Sequence, residues 1–385
     1  FAYEDAYMDR PSIKPNQMQL DNLRPEIVSS YNLGLEGAFK RNMIRFSFDY
    51  YDKKTSDLIM ENMSIQSTTG YSSVRRYNGG DIRNRGWEFS VSLNDIVKIG
   101  AFRLGLSNIN LSRNVNEITS LPESMIAEKY TIGNGNYPRK IMEGNPIGSI
   151  YGYIFDGVYQ NYDETLARDA QGELIRDVNG NTVPIRVGGT TRMRPGDAKY
   201  RDLNHDGVID EQDIVYLGSS FPTLTGGGSL VLKYKGWQLR TSLHFRLGHS
   251  IVNMVRHDLE NMNTGNNQSK AVLRRWRYEG DQTDVPRALW GVNYNSMGSS
   301  KYVEDGSFLK VKDITLTYRV PQNFCRKLGL MNMVLSATAY NLFTLTDYSG
   351  QDPEVGVGAG AYGLAIDTSR TPPARKIAFN ISFSF

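Results

Sequence analysis

The chain has 385 residues, a formal net charge of +3 and a mean hydropathy of −0.45. No run approaches the roughly 20 apolar residues that a membrane helix needs, although the alternating strands of a membrane β-barrel also average to polar. The sequence contains no block of like charge, so nothing in it indicates a nucleic-acid partner. The single cysteine, Cys325, excludes an internal disulfide and a cysteine-based zinc site.

The sequence begins at Phe1 without a charged and apolar signal peptide. An exported protein carries such a segment before processing. We therefore expect either that a mature protein starts here or that the chain is the C-terminal portion of a longer protein. The strand count given below favours the second.

Nine segments alternate apolar and polar side chains with a period of two, which predicts strands with one apolar face. They cover about 27–39, 42–59, 86–95, 101–118, 224–234, 237–248, 306–320, 330–345 and 374–385. The fourth changes parity near Ser107–Ile109, which predicts a β-bulge. The ninth is the most regular, with one face formed by Ile377, Phe379, Ile381, Phe383 and Phe385.

The connections between these strands alternate strictly in length. Short ones lie at Lys40–Arg41, Asp95–Gly100, Lys235–Gly236 and, somewhat longer, Pro321–Gly329. Long ones cover 60–85, 119–223, 249–305 and 346–373. This is the rule for bacterial outer-membrane barrels, which have short periplasmic turns and long extracellular loops. A soluble sandwich has no reason to follow it, so we predict an all-β fold, a transmembrane antiparallel β-barrel.

The same alternation predicts the orientation of the chain. The last strand follows a long loop, which puts Phe385 on the periplasmic side and the 1–26 segment outside the cell. Nine is an odd number, whereas single-chain bacterial barrels have an even number of strands. An open sheet would also leave unpaired backbone groups in hydrocarbon. We therefore expect residues 1–385 to be the C-terminal part of a larger barrel.

Several segments then match a known family in its order along the chain. They are Leu23-Arg24-Pro25-Glu26, Tyr31–Glu36, Tyr50-Tyr51-Asp52 with Thr55, Asp57, Leu58 and Ile59, Asn78-Gly79-Gly80, Asn84–Glu88, Glu143–Gly148 with Tyr151-Gly152, Asp305–Lys310, Leu316–Tyr318, Asn341–Thr344 and Tyr348–Glu354. With these motifs the sequence resembles the SusC/RagA-like TonB-dependent outer-membrane transporters over nearly its whole length.

The resemblance implies a barrel of about 22 strands, of which this chain would supply about the last nine. It also implies an N-terminal plug domain, a TonB-box segment and a signal peptide, all absent from this sequence. The family imports oligosaccharides or peptides with energy from the TonB complex and works with a SusD-like surface lipoprotein. The expected partners are thus the remaining barrel and plug, TonB through the plug segment, the lipoprotein and outer-membrane lipid.

One motif in the 119–223 loop has the spacing of a calcium-binding loop. Over 202–213, oxygen-bearing side chains occupy loop positions 1, 3, 5, 9 and 12, and Gly207 occupies position 6, where the turn is sharp. The predicted ligands of a structural calcium ion are Asp202, Asn204, Asp206, the Val208 carbonyl, Asp210 and Asp213. The alternative is a surface turn in which Asp202 and Asn204 bond their own backbone.

Other candidate sites are weaker. Aromatic residues in the long loops are candidates for stacking on a sugar, although loop packing or a membrane aromatic belt is the better explanation for any single one of them. They are Tyr151, Tyr153, Tyr159, Trp290 and Tyr294. No nucleophile elbow or phosphate loop occurs, so no catalytic residue is assigned and no enzymatic activity is expected. The alternative function is a secreted calcium-binding β-rich adhesin or carbohydrate-binding protein.

Overall fold

The computed structural model describes residues 2–7, 10–14, 23–64, 73–122, 137–138, 141–354 and 365–385. Nine antiparallel strands form one sheet, in which the order of the strands follows the order of the chain. The strands are β1 (Ile27–Phe39), β2 (Ile44–Ser56), β3 (Asp81–Ile99), β4 (Phe102–Ser120), β5 (Leu224–Tyr234), β6 (Trp237–Leu247), β7 (Phe308–Arg319), β8 (Asn332–Thr346) and β9 (Lys376–Ser384). The prediction of nine long antiparallel strands is confirmed.

The remaining elements are short and lie outside this sheet. Strands pair as Ala2–Tyr7 with Arg10–Lys14, Ile59–Ser64 with Ser73–Asn78, Ser149–Gly152 with Val215–Ser219, Phe155–Val158 with Ala198–Tyr200, Arg186–Val187 with both Thr191–Arg192 and Val208–Ile209, and Ser250–Asn253 with both Val303–Asp305 and Ile366–Asp367. The helices are α1 (Met254–Glu260) and α2 (Gln322–Lys327), with 3-10 turns at Asp163–Thr165, Glu211–Asp213, Lys270–Arg274, Tyr294–Ser296 and Ser300–Tyr302. None of the described helices has the length and apolar character to span a bilayer.

The alternation of side chains gives the sheet one apolar and one polar face. Leu316 of β7 lies opposite Leu239 of β6 and Ala337 of β8, and Ala337 lies opposite Phe379 of β9. Apolar residues thus stand in rows across the strands. Most of the apolar face is exposed, with Phe379 82% accessible. An exposed apolar face of this extent indicates a surface that does not face water.

The connections alternate in length as predicted. Turns join β1 to β2, β3 to β4 and β5 to β6, and a longer turn that contains α2 joins β7 to β8. The long connections lie between β2 and β3, β4 and β5, β6 and β7, and β8 and β9. Because neighbouring strands are antiparallel, all short connections emerge at one end of the sheet and all long connections at the other.

The third strand is longer than its sequence pattern suggests. It begins at Asp81 rather than near residue 86, and it continues to Ile99. The connection predicted at Asp95–Gly100 is therefore a tight turn centred on Gly100, which has φ +57°. The register with β4 shifts between Leu93 and Val97, which breaks the alternation of side chains, and pairing resumes where Val97 lies opposite Leu104.

The predicted bulge lies in β4 at Asn108. Ser107 pairs with Ser229 of β5 and Asn110 with Gly227, so two residues of β4 oppose one residue of β5. Asn108 itself has φ +52°, a conformation that Asn adopts more readily than most residues. The change of side-chain parity in the sequence follows from this one extra residue.

Candidate functional site

The long connections pack on one another at one end of the sheet, and most of the fully buried side chains lie there. Tyr137 donates a hydrogen bond to the Ser299 carbonyl at 2.7 Å. Buried Asp197 accepts two hydrogen bonds from Arg287, the closer at 2.7 Å, and lies 3.3 Å from Asn295. These contacts join residues 90 to 162 positions apart in the sequence. We call the described residues of 137–222, 248–307 and 347–367 that pack there the loop layer.

The loop layer contains a cavity of about 310 Å³ beside α1. Its lining mixes polar groups with the aliphatic side chains of Val255 and Leu259. The lining residues are Asn253, Val255, Arg256, Leu259, Glu260, Ser269, Ser349, Gly350, Gln351, Asp367 and Ser369. A concave site with a few convergent polar groups is the usual form of a small-molecule site.

Ion pairs hold the polar wall of this cavity in place. Arg256 Nε lies 3.1 Å from Glu260 Oε1, and Arg256 Nη1 lies 3.3 Å from Glu304 Oε1. Ser349 donates its backbone amide and its hydroxyl to Glu304. Burial raises the pKa of Glu304, and hydrogen bonds from Ser349, Arg256 and Asn253 outweigh it, so the pKa lies below its ordinary value. Glu304 is therefore ionised and fixes both α1 and the segment around Ser349.

A buried lysine stands behind the same wall. Lys301 Nζ lies 3.7 Å from Glu260 Oε2 and rests over the rings of Phe155 and Tyr302. Burial lowers the pKa of Lys301, although the nearby Glu260 carboxylate opposes that change. Together, Arg256 and Lys301 hold Glu260 from two sides.

A second ionic cluster attaches the loop layer to the polar face of the sheet. Lys310 of β7 contacts Asp352 at 2.8 Å and Glu354 at 2.9 Å, and Lys312 contacts Glu354 at 2.5 Å. Burial raises the pKa of Glu354, but the ion pairs with Lys312 and Lys310 outweigh it and lower the pKa to about 2. The motif Tyr348–Glu354 thus runs from the cavity wall to the polar face of the sheet at β7.

Three other motif segments meet at the same end of β1–β3. The Asn78 side chain accepts a hydrogen bond from the Arg24 amide at 2.8 Å and donates to the carbonyls of Arg24 and Asp57. Arg24 also contacts the Asp57 carboxylate at 2.7 Å. The adjacent Gly80 has φ +121°, and a Cβ there would lie 2.3 Å from the Ser120 carbonyl oxygen. The sequence motifs revealed these segments, but not that they contact one another.

The calcium-like loop is a compact turn whose acidic side chains accept backbone amides. Asp202 accepts from Gly207 at 2.8 Å, and Asp206 accepts from Val208 at 2.8 Å. Asp213 is fully buried and accepts from Leu203 at 2.7 Å and from Asp210 at 2.9 Å. Gly207 has φ +81°, as the sharp turn at position 6 requires.

The loop is fastened to the core of the loop layer. Ile209 packs against Tyr153, Ala198, Tyr200 and Met297. Burial raises the pKa of Asp213, and the nearby Asp202 and Asp210 carboxylates raise it further, while the two amide hydrogen bonds lower it. Oxygen donors of this kind suit calcium. Within the described part of the chain, however, no three His, Cys, Asp or Glu side chains stand close enough together to hold a metal ion.

The aromatic candidates divide into buried and accessible residues. Tyr151 and Tyr153 are 1% and 5% exposed and belong to the core of the loop layer, so neither offers a free ring face in this structure. Tyr159 is likewise fully buried. Trp290 is 75% exposed, and the hydroxyl of half-buried Tyr294 accepts a hydrogen bond from Arg287. Of the predicted sugar-stacking residues, Trp290 is the one whose ring is well exposed.

Comparison with known proteins identifies the fold. The family model for the β-barrel of TonB-dependent receptor-like proteins matches residues 3–342. TonB-dependent receptor P3 of Formosa agariphila is 31% identical over 87% of this chain and 31% of its own length. TonB-dependent receptor SusC of Bacteroides thetaiotaomicron is 27% identical over 95% of this chain and 32% of its own. The chain thus spans about a third of the length of these relatives.

A solved structure described as the RagAB peptide transporter has the same fold. It superposes with a TM-score of 0.71 at 22% identity, over 100% of this chain and 38% of the solved one. The structure of the RagAB peptide importer in its "open-open" state gives a TM-score of 0.68, also at 22% identity. The chain therefore shares its fold with these solved structures.

Proposed function

Because the chain belongs to the TonB-dependent receptor β-barrel family, we propose that it forms the C-terminal nine strands of an outer-membrane nutrient importer. The resemblance to SusC-like proteins is confirmed. The relatives are receptors and transporters, and on that ground the prediction that the chain is not an enzyme is also confirmed. No observation favours the alternative of a secreted adhesin.

The remaining strands of a barrel of about 22 would come from the rest of the longer protein. Within the described residues, β1 and β9 each have one neighbour in the sheet. In a bilayer an unpaired strand edge costs several kcal/mol for each free backbone group. Closing the barrel with upstream strands satisfies both edges. The plug domain and its TonB-binding segment belong to the same upstream part.

The observation that carries the import proposal is the loop layer with its cavity. The long connections contain a packed core, a cavity of about 310 Å³ and polar groups that point into it. Simple surface loops need none of these features. We place this end outside the cell and Phe385 in the periplasm. The substrate is a peptide or an oligosaccharide, and the loop layer is the surface on which a SusD-like lipoprotein sits. The name of the RagAB transporter favours peptides.

The 202–213 loop is proposed to bind a structural calcium ion through Asp202, Asn204, Asp206, the Val208 carbonyl, Asp210 and Asp213. Its support is the spacing of oxygen donors, the φ of Gly207 and the charges of Asp202 and Asp210, which raise the pKa of the buried Asp213 carboxyl. A carboxylate oxygen that accepts one amide retains a second lone pair for a ligand. The ion would stiffen the long connection between β4 and β5, and Asp202 is the ligand to test.

The import proposal is tested by narrowing the cavity in the full-length protein. Leu259→Trp on α1 adds bulk to the cavity lining and keeps Arg256, Glu260 and Glu304, the ion-paired residues of its wall. Gln171→Trp, on an exposed turn of the same loop layer, is the matched control. We expect the first variant to abolish growth on peptides or oligosaccharides as sole carbon source, with normal amounts in the outer membrane. Undiminished growth on both, or recovery of the wild type as a soluble protein, would contradict the proposal.

A further inference from the structure

The end of the sheet that carries the short connections is strongly basic. The segments 40–43, 95–103, 233–236 and 319–332 contain nine Lys or Arg residues and one acidic residue, Asp95. The cations are Lys40, Arg41, Lys98, Arg103, Lys233, Lys235, Arg319, Arg326 and Lys327. The whole chain has 44 Lys and Arg against 41 Asp and Glu, which leaves 35 cations against 40 acids elsewhere. The charge of the chain is therefore polarised along the strands.

Seven of these nine cations form no ion pair within the described structure, and Arg103 and Lys233 are the other two. Asp95 is shared by Lys233 at 3.1 Å and Arg103 at 3.4 Å. Lys235 Nζ lies over the Tyr234 ring at 5.4 Å from its centre, and Arg326 and Lys327 are exposed at the end of α2. A concentration of like charge without counter-ions destabilises the folded state unless an anionic partner neutralises it.

The same end exposes large apolar side chains. Cys325 of α2 is fully buried, while Phe324 of α2 and Leu328, the residue that follows the helix, are 54% and 55% exposed. The amide of Met331 bonds the Ser384 carbonyl, so this turn lies beside the end of β9. Exposed apolar residues at this end are Phe39, Ile99, Tyr234, Trp237, Phe324, Leu328, Met331 and Phe385.

The residues at the strand ends, Tyr234, Trp237, Met331 and Phe385, continue the outward apolar face of the sheet. Met333 pairs with Phe383, and Trp237 stacks on Tyr318 with ring centres 4.4 Å apart. Met331 and Phe385 follow on the same face at the ends of β8 and β9. A short segment with exposed apolar residues and flanking Lys or Arg, at the margin of a lipid-facing surface, suits the boundary between acyl chains and headgroups. A soluble acidic protein as the binding partner would account for the cations but not for the exposed apolar side chains.

We propose that this basic and apolar rim, centred on Lys235, Arg326 and Lys327, binds anionic phospholipid headgroups in the leaflet that faces the short turns. Phe324 and Leu328 enter the acyl region, and the cations contact the phosphates. The proposal rests on the membrane barrel of the preceding section, but not on the nutrient or on a lipoprotein partner. It assigns to the short-turn end a function separate from import.

The test uses the full-length transporter reconstituted in phosphatidylcholine bilayers with trace spin-labelled phosphatidylglycerol or phosphatidylcholine. The motionally restricted fraction of each label reports which lipid occupies the protein surface. We expect the restricted fraction to be at least about twofold higher for phosphatidylglycerol, and the excess to disappear at about 1 M salt, where the Debye length is about 3 Å.

Variants locate the effect. The triple variant Lys235→Gln, Arg326→Gln, Lys327→Gln removes at least half of the excess, and the matched loop-layer variant Lys270→Gln, Arg274→Gln, Arg277→Gln keeps it. Equal restriction of both labels in the wild type overturns the proposal. So does an unchanged excess in the rim variant. The import proposal has its own readout, which is growth. If growth does not depend on the protein, the import proposal fails, but the restricted fraction of each spin label is still measured and interpreted in the same way.

Discussion

Lys310 on the polar face of β7 lies 2.8 Å from Asp352, which belongs to the connection between β8 and β9. The lysine side chain is 3% exposed, so the pair is shielded from water. It links the sheet to the segment that also forms part of the cavity wall through Ser349 and Gln351. The loop layer is thus fixed to the inside of the sheet by charge as well as by packing.

Replacing Lys310 with Met leaves Asp352 and Glu354 close together without their shared cation. Removing one partner of a buried pair costs about 3–5 kcal/mol, and retention of Lys312 beside Glu354 reduces this to roughly 1–3 kcal/mol. We expect the connection between β8 and β9 to be cut faster by protease in the folded transporter. Lys312→Met, at a more exposed lysine, is the control with a smaller effect. Equal rates in all three proteins would rule out the attachment.

The same attachment depends on pH in a defined direction. The pKa of Glu354 falls from an ordinary 4.5 to about 2 in the folded protein. Its ion pairs therefore stabilise the attachment fully above about pH 4.5, and this contribution is lost as the pH falls toward 2. Protease sensitivity of the connection should rise over that interval in the wild type. In a Glu354→Gln variant the rise should be smaller, and an identical profile would exclude Glu354 as the titrating group.

The calcium proposal predicts weak binding that Asp202→Ala removes. Extracellular calcium modules bind with dissociation constants on the order of 0.1–1 mM, and we expect Asp202→Ala to weaken binding at least tenfold. Asp169→Ala is the control, because Asp169 closes a similar turn by accepting from Gln171 and Glu173 but lacks the twelve-residue spacing. Calorimetric titration of the full-length protein measures both. Equal affinity in wild type and Asp202→Ala would eliminate the site.

Calcium affinity should also fall at acidic pH. Burial and the neighbouring acids raise the pKa of Asp213 above its ordinary 3.8, and the metal requires the ionised carboxylate. A raised pKa also means that ionisation of Asp213 destabilises the fold as the pH rises through it, and bound calcium offsets this loss. The shift in thermal midpoint caused by calcium should therefore increase from acidic to neutral pH. A shift that does not change with pH would contradict a role for Asp213.

A charged side chain should lower the free energy of unfolding much more on one face of β9 than on the other. Phe379 stands on the apolar face and Asn380 on the polar face. An arginine on the lipid face near the bilayer centre costs about 2–4 kcal/mol, so Phe379→Arg should lower the free energy of unfolding in vesicles by that amount. Asn380→Arg, next to it in the strand, should change it by less than about 1 kcal/mol. Similar losses in both variants would mean that the apolar face does not contact lipid.

The sequence predicts the sheet well because a strand with one apolar face leaves a local signal. Even the bulge at Asn108 is visible as a change of parity. The loop layer is different, since contacts such as Asp197 with Arg287 join residues far apart in sequence and leave no periodic pattern. For the same reason the sequence predicts Tyr151 and Tyr153 as sugar contacts, whereas packing between the connections buries both. The spacing of oxygen-bearing residues in the 202–213 loop is a local pattern, so the sequence alone reveals it.

The most direct test of the membrane-spanning account is labelling of engineered cysteines in intact cells. Val178, in a long connection, is fully exposed, and Lys235 lies in a short turn. Cys325 is buried and should give little background. A membrane-impermeant maleimide should label Val178→Cys in intact cells, and Lys235→Cys only after the outer membrane is permeabilised. Labelling of both variants in intact cells, or of Lys235→Cys alone, would contradict the proposed barrel and its orientation.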